Sequence, residues 1–81
     1  MADILLDIVT PEETVFSQKV DTVTMPGVIG SFEVLKNHAP LITSLTEGDV
    51  VYSLDGQKGS VHIKSGFVEV LDNKVSICAE V

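Results

Sequence analysis

Residues 66–77 read Gly66-Phe67-Val68-Glu69-Val70-Leu71-Asp72-Asn73-Lys74-Val75-Ser76-Ile77. Val68 and Val70, then Val75 and Ile77, recur with a period of two, which places each pair on one face of a strand. Between them lies Leu71-Asp72-Asn73-Lys74, a hairpin turn, because Asp and Asn tolerate the positive φ that tight turns require. The alternation continues toward the N-terminus. Upstream it passes through Val61/Ile63, Val50/Tyr52/Leu54 and Leu41/Leu45, and it begins at Ile4/Leu6/Ile8. No window holds a period of 3.6. Breakers punctuate the pattern at Pro11, Pro26-Gly27, Gly30, Asn37 to Pro40, Gly48, Asp55-Gly56, Gly59, Gly66 and Asp72-Asn73, and Asp55-Gly56-Gln57-Lys58-Gly59 reads as a second hairpin turn. Many short strands with frequent turns predict a sandwich or a barrel.

Composition agrees. Thirteen Val, six Ile, seven Leu and six Thr stand against three Ala, a β-branched excess that favours pleated sheet over helix. Eighty-one residues with 44% hydrophobic and 21% charged side chains form one domain, residues 1–81, too apolar for disorder and too short for two cores. A domain of this size holds together only if its core is filled, which argues against an enzyme with a deep pocket.

Charge narrows the partners. Twelve Asp and Glu oppose five Lys and no Arg, for a net charge of −7. Nothing here could neutralise a run of phosphates, so nucleic-acid binding is excluded. The missing Arg also removes any arginine-finger role in nucleotide hydrolysis. The opening Met1-Ala2-Asp3-Ile4-Leu5-Leu6-Asp7 carries acid where a signal peptide needs base, and no apolar run approaches the roughly 18 residues of a membrane span. A chain with no direct membrane insertion is expected, and its lone Cys78 suits a reducing compartment.

Candidate chemistry is sparse. His62 alternates with Val61 and Ile63 and is expected on a solvated strand face; Cys78, between Ile77 and Ala79, is expected to behave as a small hydrophobe. No His or Cys has zinc-ligand spacing, so no metal and no cofactor are expected. Glu12-Glu13 after Pro11 reads as a solvated turn rather than a catalytic carboxylate pair. Gly27-Val28-Ile29-Gly30 is too short to cradle a phosphate and reads as a loop joining strands. Most of the four aromatics, Phe16, Phe32, Tyr52 and Phe67, are expected in the core. Lys74 beside a turn is superficially similar to the modified lysine of lipoyl and biotinyl carrier domains. Those domains place it near the middle of two similar halves, whereas Lys74 is far from the centre of this chain and lacks the motif's flanking Ala or Met.

One longer stretch is hard to explain by fold alone: Met25-Pro26-Gly27-Val28-Ile29-Gly30-Ser31-Phe32-Glu33-Val34-Leu35-Lys36-Asn37-His38-Ala39-Pro40-Leu41-Ile42-Thr43. Two glycines, a short hydrophobic strand and a His-Ala-Pro turn into Leu-Ile-Thr closely resemble the N-terminal β-sandwich domain of the epsilon subunit of F-type ATP synthase. Leu5-Leu6-Asp7-Ile8-Val9-Thr10-Pro11-Glu12 with Val15-Phe16-Ser17, Leu45-Thr46-Glu47-Gly48-Asp49-Val50 and Ile63 through Ile77 match that family in order and spacing. The pattern departs from it at Ser31, Glu33 and Lys36-Asn37; Asn37 can still adopt the left-handed conformation that a glycine there supplies.

The expected fold is therefore all-β: a monomeric, ten-stranded β-sandwich, or flattened barrel, of two five-stranded sheets with no helix beyond a turn or two. The resemblance implies a noncatalytic rotor subunit in the central stalk, linking the gamma subunit to the c-ring of the F1 complex so that ion-driven rotation is coupled to ATP synthesis. It implies a peripheral location on the cytoplasmic side of a bacterial cell membrane, with an organellar inner or thylakoid membrane as the alternative. It assigns gamma-subunit contact to Thr10, His38 and Thr43, and c-ring contact to a loop of Gly27, Val28, Ile29, Gly30, Ser31 and Phe32. His38 is also expected to hydrogen-bond local backbone at its corner. The family usually continues into a C-terminal α-helical hairpin that can inhibit rotation; with the sequence stopping at Val81, the expectation is coupling without that brake. The net charge suits steering toward basic or polar c-ring loops, and serves solubility equally.

Overall fold

The computed structural model describes residues 2–81. Nine strands run in chain order: β1 (Ile4–Val9), β2 (Thr14–Val20), β3 (Thr22–Pro26), β4 (Ser31–Val34), β5 (Leu41–Leu45), β6 (Gly48–Leu54), β7 (Gln57–Ile63), β8 (Ser65–Leu71) and β9 (Lys74–Glu80). They form a five-stranded sheet, order β2-β1-β9-β8-β5, and a four-stranded sheet, order β4-β3-β6-β7. Among the described residues no helix is long and apolar enough to cross a membrane.

The β-sandwich and its period-two faces are as expected; the second sheet has one strand fewer than the five anticipated. The segment after β4, with breakers expected from Asn37 to Pro40, adds no strand to either sheet. Asn37 sits at φ 65°, the left-handed region that ends a strand, and Pro40 has no N–H to give a ladder. Residues 35–40 therefore cross from one sheet to the other as a loop.

Alternation sets the core. Ile4, Leu6 and Ile8 of β1, Val75 and Ile77 of β9, and Val68 and Val70 of β8 all point inward and are at most 2% exposed. From the other sheet Val23, Met25, Val34, Val50 and Ile63 meet them, with no more than 1% exposure. Full burial of each such side chain contributes about 1.5–3 kcal/mol against the chain entropy lost on folding. β1 lies inside its sheet, antiparallel to β2 and parallel to β9, so the sequence-distant strands β1 and β9 close the domain together.

Both expected hairpins are present. Asp55 and Gly56 have φ 52° and 81°, Asp72 and Asn73 φ 50° and 62°, the two positive values of type I′ turns. The Asn73 amide does more than turn the chain: its Oδ1 accepts the Asn37 N–H (2.7 Å) and its Nδ2 donates to Asn37 Oδ1 (3.2 Å). The β8–β9 turn thus holds the β4–β5 loop, and Asn37 takes the left-handed conformation expected of it.

The two open sides of the sandwich differ. At the β2/β7 side Phe16 stacks on Tyr52, ring centroids 4.4 Å apart, and a Cβ at Gly59 would collide with the Tyr52 ring, which keeps position 59 bare. At the β4/β5 side no aromatic pair closes the seam, and a cleft remains.

Candidate functional site

That cleft holds about 530 Å³ and is lined by Gly27, Val28, Ile29, Gly30, Ser31, Phe32, His38, Leu41 and Thr43. Its floor forms because Leu41, Thr43 and Leu45 take the inward positions of β5, while the four-stranded sheet ends at short β4 and leaves the first two partly uncovered. Its lip is the β3–β4 hairpin. Gly30 N–H donates to the Gly27 carbonyl at 3.1 Å, and a Cβ at Gly27 would lie 2.7 Å from the Gly30 carbonyl oxygen and 3.0 Å from the Phe32 ring. Only a glycine lets the turn close so tightly over Phe32. The tip projects Ile29 almost entirely into solvent, at 99% exposure, with Val28 exposed beside it.

The residues expected to face two different partners are thus partly brought together. His38 and Thr43, read as gamma-facing, share this cleft with the loop read as c-ring-facing. The loop itself is shorter than expected: residues 27–30 form the turn, whereas Ser31 and Phe32 already belong to β4, paired with Pro26 and Met25. Thr10 lies elsewhere. It lines a separate groove of about 490 Å³ with Val9, Ser65, Gly66 and Cys78, and β9 and β8 separate β1 from β5, roughly 14 Å at ordinary strand spacing. Its Oγ1 accepts the N–H groups of Glu12 (3.3 Å) and Glu13 (3.2 Å), so the hydroxyl holds the turn after β1. Glu12 and Glu13 occupy that exposed turn, as read.

His38 is half-buried, and its ring lies 2.6 Å from the Ala39 carbonyl through Nδ1. A carbonyl only accepts, so Nδ1 donates the proton of this bond. His62 stands on the solvated face as expected, but between two carboxylates: Nδ1 to Asp49 Oδ1 at 2.8 Å and Nε2 to Glu47 Oε2 at 3.3 Å. The hydrogen bond to Asp49, and then that to Glu47, raise its pKa above the ordinary 6.5. The cluster is a clasp that ties β7 to β6 and to the residue before it, and its two carboxylates favour the protonated ring. Among the described residues no group of three or more His, Cys, Asp and Glu side chains is arranged to hold a metal ion.

One expectation about burial is corrected. Cys78 is exposed, because Ile77 and Ala79 take the inward positions of β9 and turn the thiol outward. Phe67, its register partner on β8, is 53% exposed for the same reason. The other aromatics, Phe16, Phe32 and Tyr52, pack against the core from partly buried positions. Lys74 does not project from a turn tip: it opens β9, with Nζ 3.8 Å from Asp7 Oδ2 on the outer sheet face. Leu41 and Asn73 were missed as site residues. The uncharged run Leu41-Ile42-Thr43-Ser44-Leu45 in so acidic a chain was the available signal for the first; nothing in one sequence points to the Asn37–Asn73 pair.

Comparison with known proteins gives this surface a context. Residues 3–81 match the family described as ATP synthase, Delta/Epsilon chain, beta-sandwich domain. The chain is 46% identical over 80 residues to the ATP synthase epsilon chain of Carboxydothermus hydrogenoformans, covering 98% of this chain and 60% of that one. It is 44% identical over 75 residues to the epsilon chain of Nitratidesulfovibrio vulgaris, covering 93% and 56%. It therefore spans little more than half the length of these curated relatives. Among solved structures it superposes on a chain of the Euglena gracilis mitochondrial ATP synthase, OSCP/F1/c-ring, with TM-score 0.89, 26% identity, 98% coverage of this chain and 51% of that one. A chain of the Tetrahymena thermophila mitochondrial ATP synthase central stalk/c-ring shares the fold at TM-score 0.81 and 15% identity, over 98% and 64%. With the sandwich, the glycine hairpin and the His-Ala-Pro corner in place across the matched length, the chain belongs to the ATP synthase delta/epsilon chain β-sandwich domain family.

Proposed function

We propose that this chain is a noncatalytic rotor component of an F-type ATP synthase, joining the gamma subunit to the c-ring so that ion-driven rotation is transmitted to ATP synthesis. The family match over residues 3–81 carries the assignment. The architecture suits a torque adaptor, because two sheets around a close-packed core resist shear through many backbone hydrogen bonds. In this assignment His38 and Thr43 contact gamma from within the cleft, Thr10 meets gamma from the turn after β1, and the tip formed by Val28 and Ile29, with Gly27, Gly30, Ser31 and Phe32 supporting it, meets the polar loops of the c-ring. The chain sits peripherally on the cytoplasmic face of a bacterial membrane through those partners.

Coupling, not inhibition, is the role assigned to these 81 residues. The nine strands are locked into two hydrogen-bonded sheets, so none of them could extend along the stalk without unfolding the domain. Reconstituting the F1 sector and c-ring with and without the chain tests both parts. The expected result is that the chain is retained on gamma and the c-ring and restores ion pumping driven by ATP hydrolysis, without suppressing hydrolysis. Failure to be retained overturns the rotor assignment, and strong inhibition that appears only when the chain is added overturns the assignment of coupling alone.

A further inference from the structure

The backbone of β5 offers a second kind of contact beside the cleft. In an antiparallel ladder, successive residues turn their N–H and C=O groups to opposite sides. Val28 N–H donates to the Ser44 carbonyl at 3.4 Å from the side away from β8. Ser44 therefore faces the open edge, and so does Ile42 two residues earlier.

The far side of the sheet gives the same phase independently. Leu5 N–H donates to the Asn73 carbonyl at 2.9 Å in the parallel β1–β9 pair, which turns Val75 and Ile77 toward β1 and Ser76 and Cys78 toward β8. Val68 and Val70 are then left to bond β5, where their register partners are Thr43 and Leu41. Thr43 and Leu41 serve the ladder; Ile42 does not. By this phase its N–H and C=O face away from β8 toward the open edge, and its side chain is 73% exposed.

Edges of this kind are ordinarily guarded by charge, proline or a covering loop. The edge strand β2 carries Lys19, β7 carries Lys58 and the His62 clasp, and β4 carries Glu33. β5 carries no charged residue. Between the hairpin bonded at Ser44 and the corner at Pro40, the one open position of this edge, Ile42, is thus apolar and without a charged neighbour on its own strand.

We infer that a short extended segment of the gamma partner adds to β5 as a sixth strand, exchanging both backbone hydrogen bonds with Ile42. This rests on the rotor assignment above. Strand geometry dictates the segment's character. The partner residue directly across from Ile42 lies on the outer face, and its two neighbours point inward into the cleft beside Leu41 and Thr43. The segment is thus apolar at alternate positions. It is brief, because the hairpin anchored at Ser44 and the Pro40 corner stop it at either end.

Ile42→Pro is the discriminating variant. It removes the outward N–H without touching the β5–β8 ladder, and proline is tolerated on an edge strand whose N–H faces out. Ile42→Thr shortens the apolar side chain and keeps the N–H. With purified gamma subunit as the probe, calorimetric titration is expected to show about a tenfold loss of affinity for Ile42→Pro, the size of one backbone hydrogen bond left unmade, and less than about a threefold change for Ile42→Thr. Circular dichroism and melting check that both variants fold. Should Ile42→Pro fail to fold, amide exchange on the unmodified chain replaces it: the Ile42 N–H is expected to exchange rapidly when free and roughly a hundredfold more slowly in the complex.

Equal losses in the two variants, or no loss with proline, or an Ile42 amide unprotected by gamma, overturn strand addition while leaving the rotor assignment intact. Self-association of the unmodified chain that Ile42→Pro abolishes assigns the edge to a second copy and overturns the choice of partner. A chain that does not bind gamma at all overturns the rotor assignment and this inference together.

Discussion

Replacing Ile29 with Ser separates binding from folding. The side chain stands at the tip of the β3–β4 hairpin, 99% exposed, so it contributes almost nothing to the free domain. If the tip is buried on docking to the c-ring, the whole side chain passes from water to an interface, worth about 1.5–3 kcal/mol. At about 1.4 kcal/mol per tenfold in affinity, Ile29→Ser should weaken binding roughly 10- to 100-fold. Stability should stay within about 0.5 kcal/mol, as for other surface positions, which for a domain of this size means a Tm shift of no more than about 4 °C. The assay is titration of detergent-solubilised c-ring with unmodified and variant chain, alongside melting of each. An affinity within about twofold of the unmodified chain, with Tm preserved, would remove the tip from the contact. A fall of more than about 4 °C would show instead that Ile29 supports the fold, contrary to its exposure.

Leu6→Ala empties the centre of β1, where the side chain is fully buried. The expected cost of about 2–5 kcal/mol compares with a total near 4–12 kcal/mol at ordinary stability per residue, so the urea midpoint should fall by roughly a sixth at least; an unchanged midpoint would contradict the packing. Asn37→Ala, at φ 65°, should lose about 1–2 kcal/mol for a Cβ residue without a local amide in the left-handed region, and Asn37→Gly should recover most of it; equal losses would point to the amide pair with Asn73 instead. NMR titration should find the His62 pKa above 6.5, lowered more by Asp49→Asn than by Glu47→Gln. Because the folded value is raised, the clasp's stabilisation is complete below the unfolded pKa and is lost as pH rises through the folded one; stability that climbs over that window would refute the charged clasp.

Alternating apolar positions sufficed to establish strands, their inward faces and both I′ hairpins, because period-two burial and positive-φ turn residues are local properties of the chain. Val68, Val70, Val75 and Ile77 could be placed in the core from spacing alone. Local pattern also placed His62 in solvent, whereas the left-handed Asn37 was implied by the family resemblance. It could not show that residues 35–40 are a crossing loop and the second sheet stops at four strands, nor that β1 pairs in parallel with β9 from the other end of the chain. Those depend on which edges meet in space. The same holds for the site. His38, Thr43 and the glycine hairpin are separated in sequence and meet because β5 and β4 are the last strands of facing sheets, whereas Thr10, three strands away across the same sheet, is carried to another groove. The outward-facing Ile42 backbone follows from hydrogen-bond phase propagated across β1, β9, β8 and β5, and only tertiary pairing sets that phase.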